Sequence, residues 1–238
     1  MPLKHRILAL VFHDFEALDL FGALGAIVPR SDYYTLKLVN VHNLPAPHGL
    51  ESSLKNGIGT LPNLSIAEVL ASREPFDTLF IPGGTGFQPL VWDPILLEQI
   101  GLLSDRAPNV FTVCTGSLIL AATGRLDRRS STTNKRLFDE MTPKWPKVKW
   151  QKQARWVQDG KFLMSSGITA GLDAALAFMA ITYVAPENRE AQGQEIDVTG
   201  EKTVIPGFDH GKALEFARSI SWRLEYEWHE DPSNDPFV

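Results

Sequence analysis

Apolar residues recur along this chain in two alternating rhythms. Short continuous runs at Arg6 to Phe12, Phe76 to Ile81 and Val110 to Val113 predict strands buried on both faces. Stretches at helical spacing follow them. Leu18, Leu20, Phe21, Leu24, Ile27 and Val28 form one that stops at Pro29, Asp93-Pro94 opens a helix over Ile95 to Leu103, and Gly116 opens another over Ser117 to Thr123. Between them, Tyr34 to Val41 alternates and predicts a further strand, Leu54 to Ile58 a short strand or hairpin arm, and Ser65 a capped helix over Ile66 to Ala71. Strands that alternate with helices predict an α/β fold, a mostly parallel sheet with helices on both faces.

The second half of the chain is less regular. Ser130 to Thr133 predicts a short strand, and Asn134 a cap for a helix over Lys135 to Met141. Pro143 to Trp156 interleaves Lys144, Lys147, Lys149, Lys152 and Arg155 with Trp145, Trp150 and Trp156, which predicts a strand with one covered and one wet face. Asp159-Gly160 predicts a hairpin turn, and Thr169 the cap of a buried helix from Leu172 to Val184. Pro186 to Gly211 is polar and lacks strong periodicity, so it predicts a long excursion, a lid or a surface that packs on a partner. Ala213, Phe216, Ala217, Ile220 and Leu224 predict a last helix before an irregular tail. No repeat or linker divides the chain, so residues 1–238 are expected to form one domain, with an insertion at about 186–211 and a C-terminal helix and tail over 212–238.

Composition narrows the function classes. The 238 residues are 44% hydrophobic and 21% charged, enough for a sizeable core. A net charge of -5 leaves no global footprint for nucleic acid or an anionic membrane, so the basic and aromatic stretch at 143–156 is read as structural, with no nucleic-acid or membrane partner. No run approaches the ~18 apolar residues of a membrane span, and the N-terminus lacks a signal-peptide pattern. The Asn63-Leu64-Ser65 sequon is therefore read as chance. A single cysteine excludes an intrachain disulfide framework and fits a reducing, cytoplasmic setting. The histidines show no metal-site spacing, so neither a metal nor a cofactor is expected.

That cysteine, Cys114, falls where a buried strand breaks into a helix. Two readings fit it: a nucleophile exposed on a sharp elbow beside helical N–H groups, or a small apolar residue filling the strand end. In parallel sheets ligands bind outside the carboxyl ends of the strands. His13, Asp19, Gly83 to Gly86 and Cys114 all fall at such ends, which favours the nucleophile. His13 is a further candidate for the site, against the alternative of a loop histidine, and Phe87 for its apolar lining, against a place in the core.

Four segments carry a resemblance. Leu18 to Gly22, Ile81 to Gly86, Val113 to Ser117 and Gly167 to Gly171 resemble, in order, motifs of the DJ-1/PfpI (ThiJ) superfamily, nearest its isonitrile (isocyanide) hydratase branch. The resemblance runs from about Arg6 to Tyr183 and implies a flavodoxin-like three-layer sandwich, a homodimer, and a small electrophilic substrate handled without a cofactor. PfpI-type proteases place a histidine after the cysteine; Thr115 stands there instead, which disfavours a peptidase. DJ-1-like members use a glutamate near the cysteine; Asp19 matches the hydratase branch. Hydratases typically carry a histidine after the threonines where this chain has Asn134, a departure that bears on substrate fit.

The resemblance implies hydration of an isonitrile to an N-substituted formamide. The Cys114 thiolate attacks the terminal carbon to give a thioimidate, and Asp19 supplies a proton and then activates water. Backbone N–H groups around Gly83, Gly84 and Thr115 stabilise developing charge, while Thr115, Ile168 and Thr169 orient the substrate or Asp19. Like charges disfavour a thiolate beside a carboxylate, so Asp19 is expected to be protonated and hydrogen-bonded to the sulfur. The alternatives are a glyoxalase acting on methylglyoxal through a Cys114 hemithioacetal, and a redox sensor or stress protein whose cysteine oxidises.

Overall fold

Continuous apolar runs can pair only where both faces are covered, and here they form the centre of one sheet. The computed structural model describes residues 4–30, 32–43, 49–51, 58–185, 194–198, 201–205, 208–233 and 235–238. The seven-stranded sheet is built from β1 (His5–Val11), β2 (Tyr34–Asn40), β3 (Leu64–Ser65), β4 (Thr78–Ile81), β5 (Asn109–Thr112), β6 (Trp156–Asp159) and β7 (Phe162–Ser165). Its order is β6-β7-β5-β4-β1-β2-β3, and every pairing is parallel except the β6-β7 hairpin. Registers such as Ala9↔Phe80 and Leu79↔Val110 bring the apolar runs side by side. Phe80, Phe111 and Phe178 continue the core from sheet to helix, with Phe111 stacked on Phe178 at 5.6 Å between ring centroids.

The helices sort into two packed groups. One joins α1 (Ala17–Ile27), α5 (Ala170–Thr182) and α6 (His210–Arg223); the other joins α2 (Ile66–Ser72), α3 (Pro94–Arg106) and α4 (Gly116–Ala122). The result is the α/β, flavodoxin-like sandwich expected from the sequence. Local chemistry sets several boundaries. Ser65 and Glu68 form a reciprocal capping box on α2, and Asp93 accepts from the N–H groups of Ile95 and Leu96 to start α3 at Pro94. Gly160, at φ +58°, turns the β6-β7 hairpin.

Other boundaries differ from expectation. The stretch from Pro143 to Trp156 is not one strand: a 3-10 turn at Thr142–Lys144 precedes a two-residue strand, Lys149–Trp150, which pairs in parallel with Ser130–Ser131. Pro143 and Pro146 have no N–H to give to a ladder, and the indole N–H of Trp150 instead donates to the Trp145 carbonyl at 3.1 Å. Asn134 and Thr169 precede helical segments but make no side-chain cap. Thr169 already has helical dihedrals, and the turn is closed by Ala170 N–H donating to Gly167 O. Leu50–Glu51 pairs with Gly59–Thr60, while residues 54–57 of the expected hairpin arm lie outside the described residues. Within 186–211, Gln194–Val198 and Glu201–Ile205 form an antiparallel hairpin where no periodicity was expected; 186–193, 199–200 and 206–207 lie outside the described residues. Among the described residues no helix is long and apolar enough to cross a membrane.

Candidate active site at the Cys114 turn

β5 ends at Thr112, and the chain must reverse within a few residues to start α4 at Gly116. The reversal is made at Cys114, whose φ of +58° lies in the left-handed region that a side chain ordinarily avoids. Its neighbours over-determine that conformation. Cys114 N–H donates to Ser166 O at 3.0 Å, and Cys114 O accepts from the hydroxyls of Ser117 and Thr133, both at 3.0 Å. Glycine at 116 is required by close approach: a Cβ there would lie 2.2 Å from the Ile81 carbonyl oxygen. The turn thus aims a free thiol into the crowded end of the sheet, with Cys114 only 5% exposed.

Asp19 reaches the same place from the first turn of α1, whose N-terminus is capped by the Glu16 side chain accepting from Leu18 N–H. Asp19 is fully buried, and its Oδ2 accepts from Gly83 N–H at 3.0 Å. Gly83 fits because it lacks a side chain: a Cβ would meet Thr115 Oγ1 at 2.7 Å and Asp19 Oδ2 at 2.8 Å. Gly84, at φ +133°, donates its N–H to Thr115 Oγ1 at 3.1 Å, and the hydroxyl returns a hydrogen bond to Gly84 O. The Gly83 and Gly84 N–H groups are therefore occupied by Asp19 and Thr115, which differs from their expected place among the donors for developing charge. The donors that face the sulfur are the Thr115 and Ile168 backbone N–H groups and the Asn134 amide. Ile168, at φ +38°, presents its N–H there while its side chain is exposed.

Burial dominates the electrostatics. It pushes the Asp19 carboxyl up to about 7, against the Gly83 N–H, which holds it down, and with Glu16 adding to the rise. Burial also pushes the Cys114 thiol well above its ordinary range, the Asp19 charge adding to the effect, against the donors from Asn134, Thr115 and Ile168. Burial thus favours the protonated form of both groups, in line with the expected proton on Asp19, and the charge of Asp19 works against a charge on the sulfur. Among the described residues the opposing contributions come from N–H donors and not from a cation, and burial outweighs them.

Of the residues expected from sequence, Cys114, Asp19, Gly83, Gly84, Thr115 and Ile168 converge. Thr169 is exposed, and its carbonyl serves the first turn of α5 by accepting from Leu172 N–H. The exposed His13 ring faces His42, 5.2 Å away between centroids, and His13 N–H donates to His42 Nε2; its ring is turned to that partner and not to Cys114. Phe87 is a core residue, 1% exposed, with its N–H on Gly84 O.

One contact was not anticipated. Asn134 Nδ2 donates to Cys114 Sγ at 3.1 Å, so the residue expected to cap a helix serves the nucleophile. Gly167 leaves room for it, since a Cβ there would lie 2.7 Å from Asn134 Nδ2. Asn134 Oδ1 and Asp19 Oδ1 are buried without a hydrogen-bond partner among the described residues. The signal that could have found Asn134 is its position directly after Thr133, whose hydroxyl donates to Cys114 O. Among the described residues no cluster of three metal-ligating side chains occurs.

The arrangement joins a buried free thiol, a buried carboxyl raised to about 7, and fixed N–H donors. Comparison with known proteins gives it a lineage. The chain is 34% identical over 135 residues to an isonitrile hydratase of Pseudomonas putida, a match covering 57% of this chain and 56% of that protein. The chain thus spans about half the length of that relative. It is 31% identical over 134 residues to an uncharacterized Streptomyces lividans protein, covering 55% of this chain and 87% of the other. A ThiJ/PfpI family protein from Pseudomonas syringae superposes with a TM-score of 0.67 at 21% identity, over 94% of this chain and 76% of that one. Drosophila melanogaster DJ-1beta superposes with a TM-score of 0.68 at 14% identity, over 95% of this chain and all (100%) of its own; these likenesses concern the fold. The model of the DJ-1/PfpI family matches residues 5–181, and the chain belongs to that family.

Proposed function

We propose that the protein hydrates an isonitrile to an N-substituted formamide. The observation that carries this reading is the buried pair of Asp19 and Cys114 followed by Thr115, a nucleophile whose proton partner is a carboxyl raised to about 7. The similarity to the Pseudomonas putida isonitrile hydratase supports it. In the first step Sγ bonds to the terminal isonitrile carbon, and the thiol proton passes through Asp19 to that same carbon, leaving a thioimidate. In the second, Asp19 takes a proton from water as the water oxygen bonds to the carbon, and passes that proton to the nitrogen. The C–S bond then breaks as the new hydroxyl becomes the formamide carbonyl and its proton goes to the sulfur, and the net change is addition of one water. A carboxyl that titrates near neutrality serves both as acid and as base, and the Asn134, Thr115 and Ile168 N–H groups stabilise charge on sulfur as it attacks and leaves. We propose further that the active species is a homodimer, as the family resemblance implies, and that the free Cys114 works in a reducing, cytoplasmic setting.

A panel of assays tests the reading. Purified protein is expected to form formamide from an alkyl isonitrile and no lactate from methylglyoxal. Cys114→Ala and Asp19→Asn are each expected to lower the rate at least ~1000-fold, since a nucleophile and its proton partner act as one unit. Lactate without formamide would replace hydration with a glyoxalase. Neither product, together with ready oxidation of Cys114, would replace it with a sensor.

A further inference from the structure

Behind the Cys114 turn lies a buried ionic network that the chemistry above does not use. Asp235, in the C-terminal tail, has a carboxylate that is 1% exposed, set 3.8 Å from Lys135 Nζ and 3.9 Å from Arg155 Nη1. Arg155, itself buried, donates from Nε to Asp173 Oδ2 at 2.5 Å. Two cations and two anions balance, so none of the four is an uncompensated buried charge. The tail is also tied by its backbone. Asp235 N–H donates to Gln153 O and Arg155 N–H to Pro232 O, both at 2.8 Å, while His229 N–H donates to Asp173 Oδ1 at 2.9 Å.

Three residues of this network, Lys135, Arg155 and Asp173, adjoin segments that line the site. Lys135 directly follows Asn134, and its Nζ fixes that loop by donating to Thr132 Oγ1 at 2.7 Å and Ala154 O at 2.6 Å. Arg155 O accepts from Ser166 N–H, and Ser166 O in turn accepts from Cys114 N–H. Asp173 lies in the first turn of α5, which begins just after Ile168. Lys135 Nζ therefore lies between the loop it anchors, at Thr132 and Ala154, and the tail carboxylate of Asp235, with Asn134 as its immediate neighbour in the chain.

We propose that Asp235 is a positioning residue for the nucleophile: by holding Lys135 and Arg155 it keeps the Asn134 amide on the Cys114 sulfur. Asp235 touches no reacting atom and acts only through Asn134. The tail is therefore part of the site's construction, although Asp235 lies 121 residues from Cys114 in sequence and outside the segment that the family model matches.

The test reads Cys114 itself and is independent of which substrate the protein takes. The rate of Cys114 alkylation by iodoacetamide is followed from pH 6 to 10 in the full chain, for the parent, Asp235→Asn, Asn134→Ala and the double variant. A donor to a charged sulfur lost is expected to slow alkylation about tenfold at a fixed pH in either single variant. The double variant should be no slower than Asn134→Ala, because both changes remove the same hydrogen bond. Asp235→Glu, which retains the charge, should keep the parent profile. An unaltered profile in Asp235→Asn, or effects that add fully in the double variant, would overturn the proposal. If Asp235→Asn does not fold, Lys135→Gln breaks the same link from the other side and carries the same expectation and the same refutation.

Discussion

Asp19 makes the acid-base behaviour of the site concrete. Because burial raises its carboxyl to about 7 from an ordinary 3.8, the folded chain binds that proton more tightly than the unfolded one. The associated stability is complete below the ordinary value and is lost as pH rises through 7. Asp19→Asn is therefore expected to be more stable than the parent by roughly 2–4 kcal/mol at pH 8, the difference closing near about pH 4, as read by urea denaturation at both. The rate has the opposite slope. Only a pair that has lost one proton can begin the proposed reaction, so kcat/KM should fall about tenfold per unit below pH ~7. A pH-independent rate between 5 and 8 would remove Asp19 from proton transfer. At this scale Cys114 was legible because it follows the end of a strongly patterned strand, and Asp19 because it lies in the first turn of the helix after one. Asn134 was not: its spacing matched a cap, and it is contact with segments distant in the chain, Gly167 among them, that leaves the amide on the sulfur.

The elements are placed by signals of different strength. The capping box at Ser65 is a local device, satisfying N–H groups of α2 regardless of its neighbours. Ser65→Ala should cost about 1 kcal/mol of stability in chemical denaturation and leave activity unchanged, since α2 lies on the opposite helical group from Asp19. The central strands were equally legible, because both faces of β1, β4 and β5 are covered and the sequence shows it as unbroken apolar runs. The stretch at 143–156 was not legible. Its alternation of tryptophan and lysine fits a strand, yet two prolines and the Trp150 to Trp145 bond break it into turns. Alternation records which side chains are covered, and a series of turns can cover the same ones.

Across the whole molecule, the tail, α5 and α6 close over one side of the sheet. Ala213, Ala217 and Ile220 bury one face of α6, and Phe216 stacks on Tyr183 at 3.8 Å between centroids. The proposed homodimer belongs to this scale. Sedimentation equilibrium at micromolar concentration is expected to give twice the chain mass, and a single-chain mass at every concentration would overturn it. The sequence by itself determined the layered α/β order, the cysteine at a strand's end and the acid that faces it, because hydrophobic periodicity and strand-end turns are local properties. Only the tertiary structure decided the protonation of the pair, the turn of Asn134 toward the sulfur and the joining of Asp235 to the site. Those depend on burial and on contacts between segments far apart in the chain, and no local pattern encodes the dielectric around a side chain or the partner that meets it.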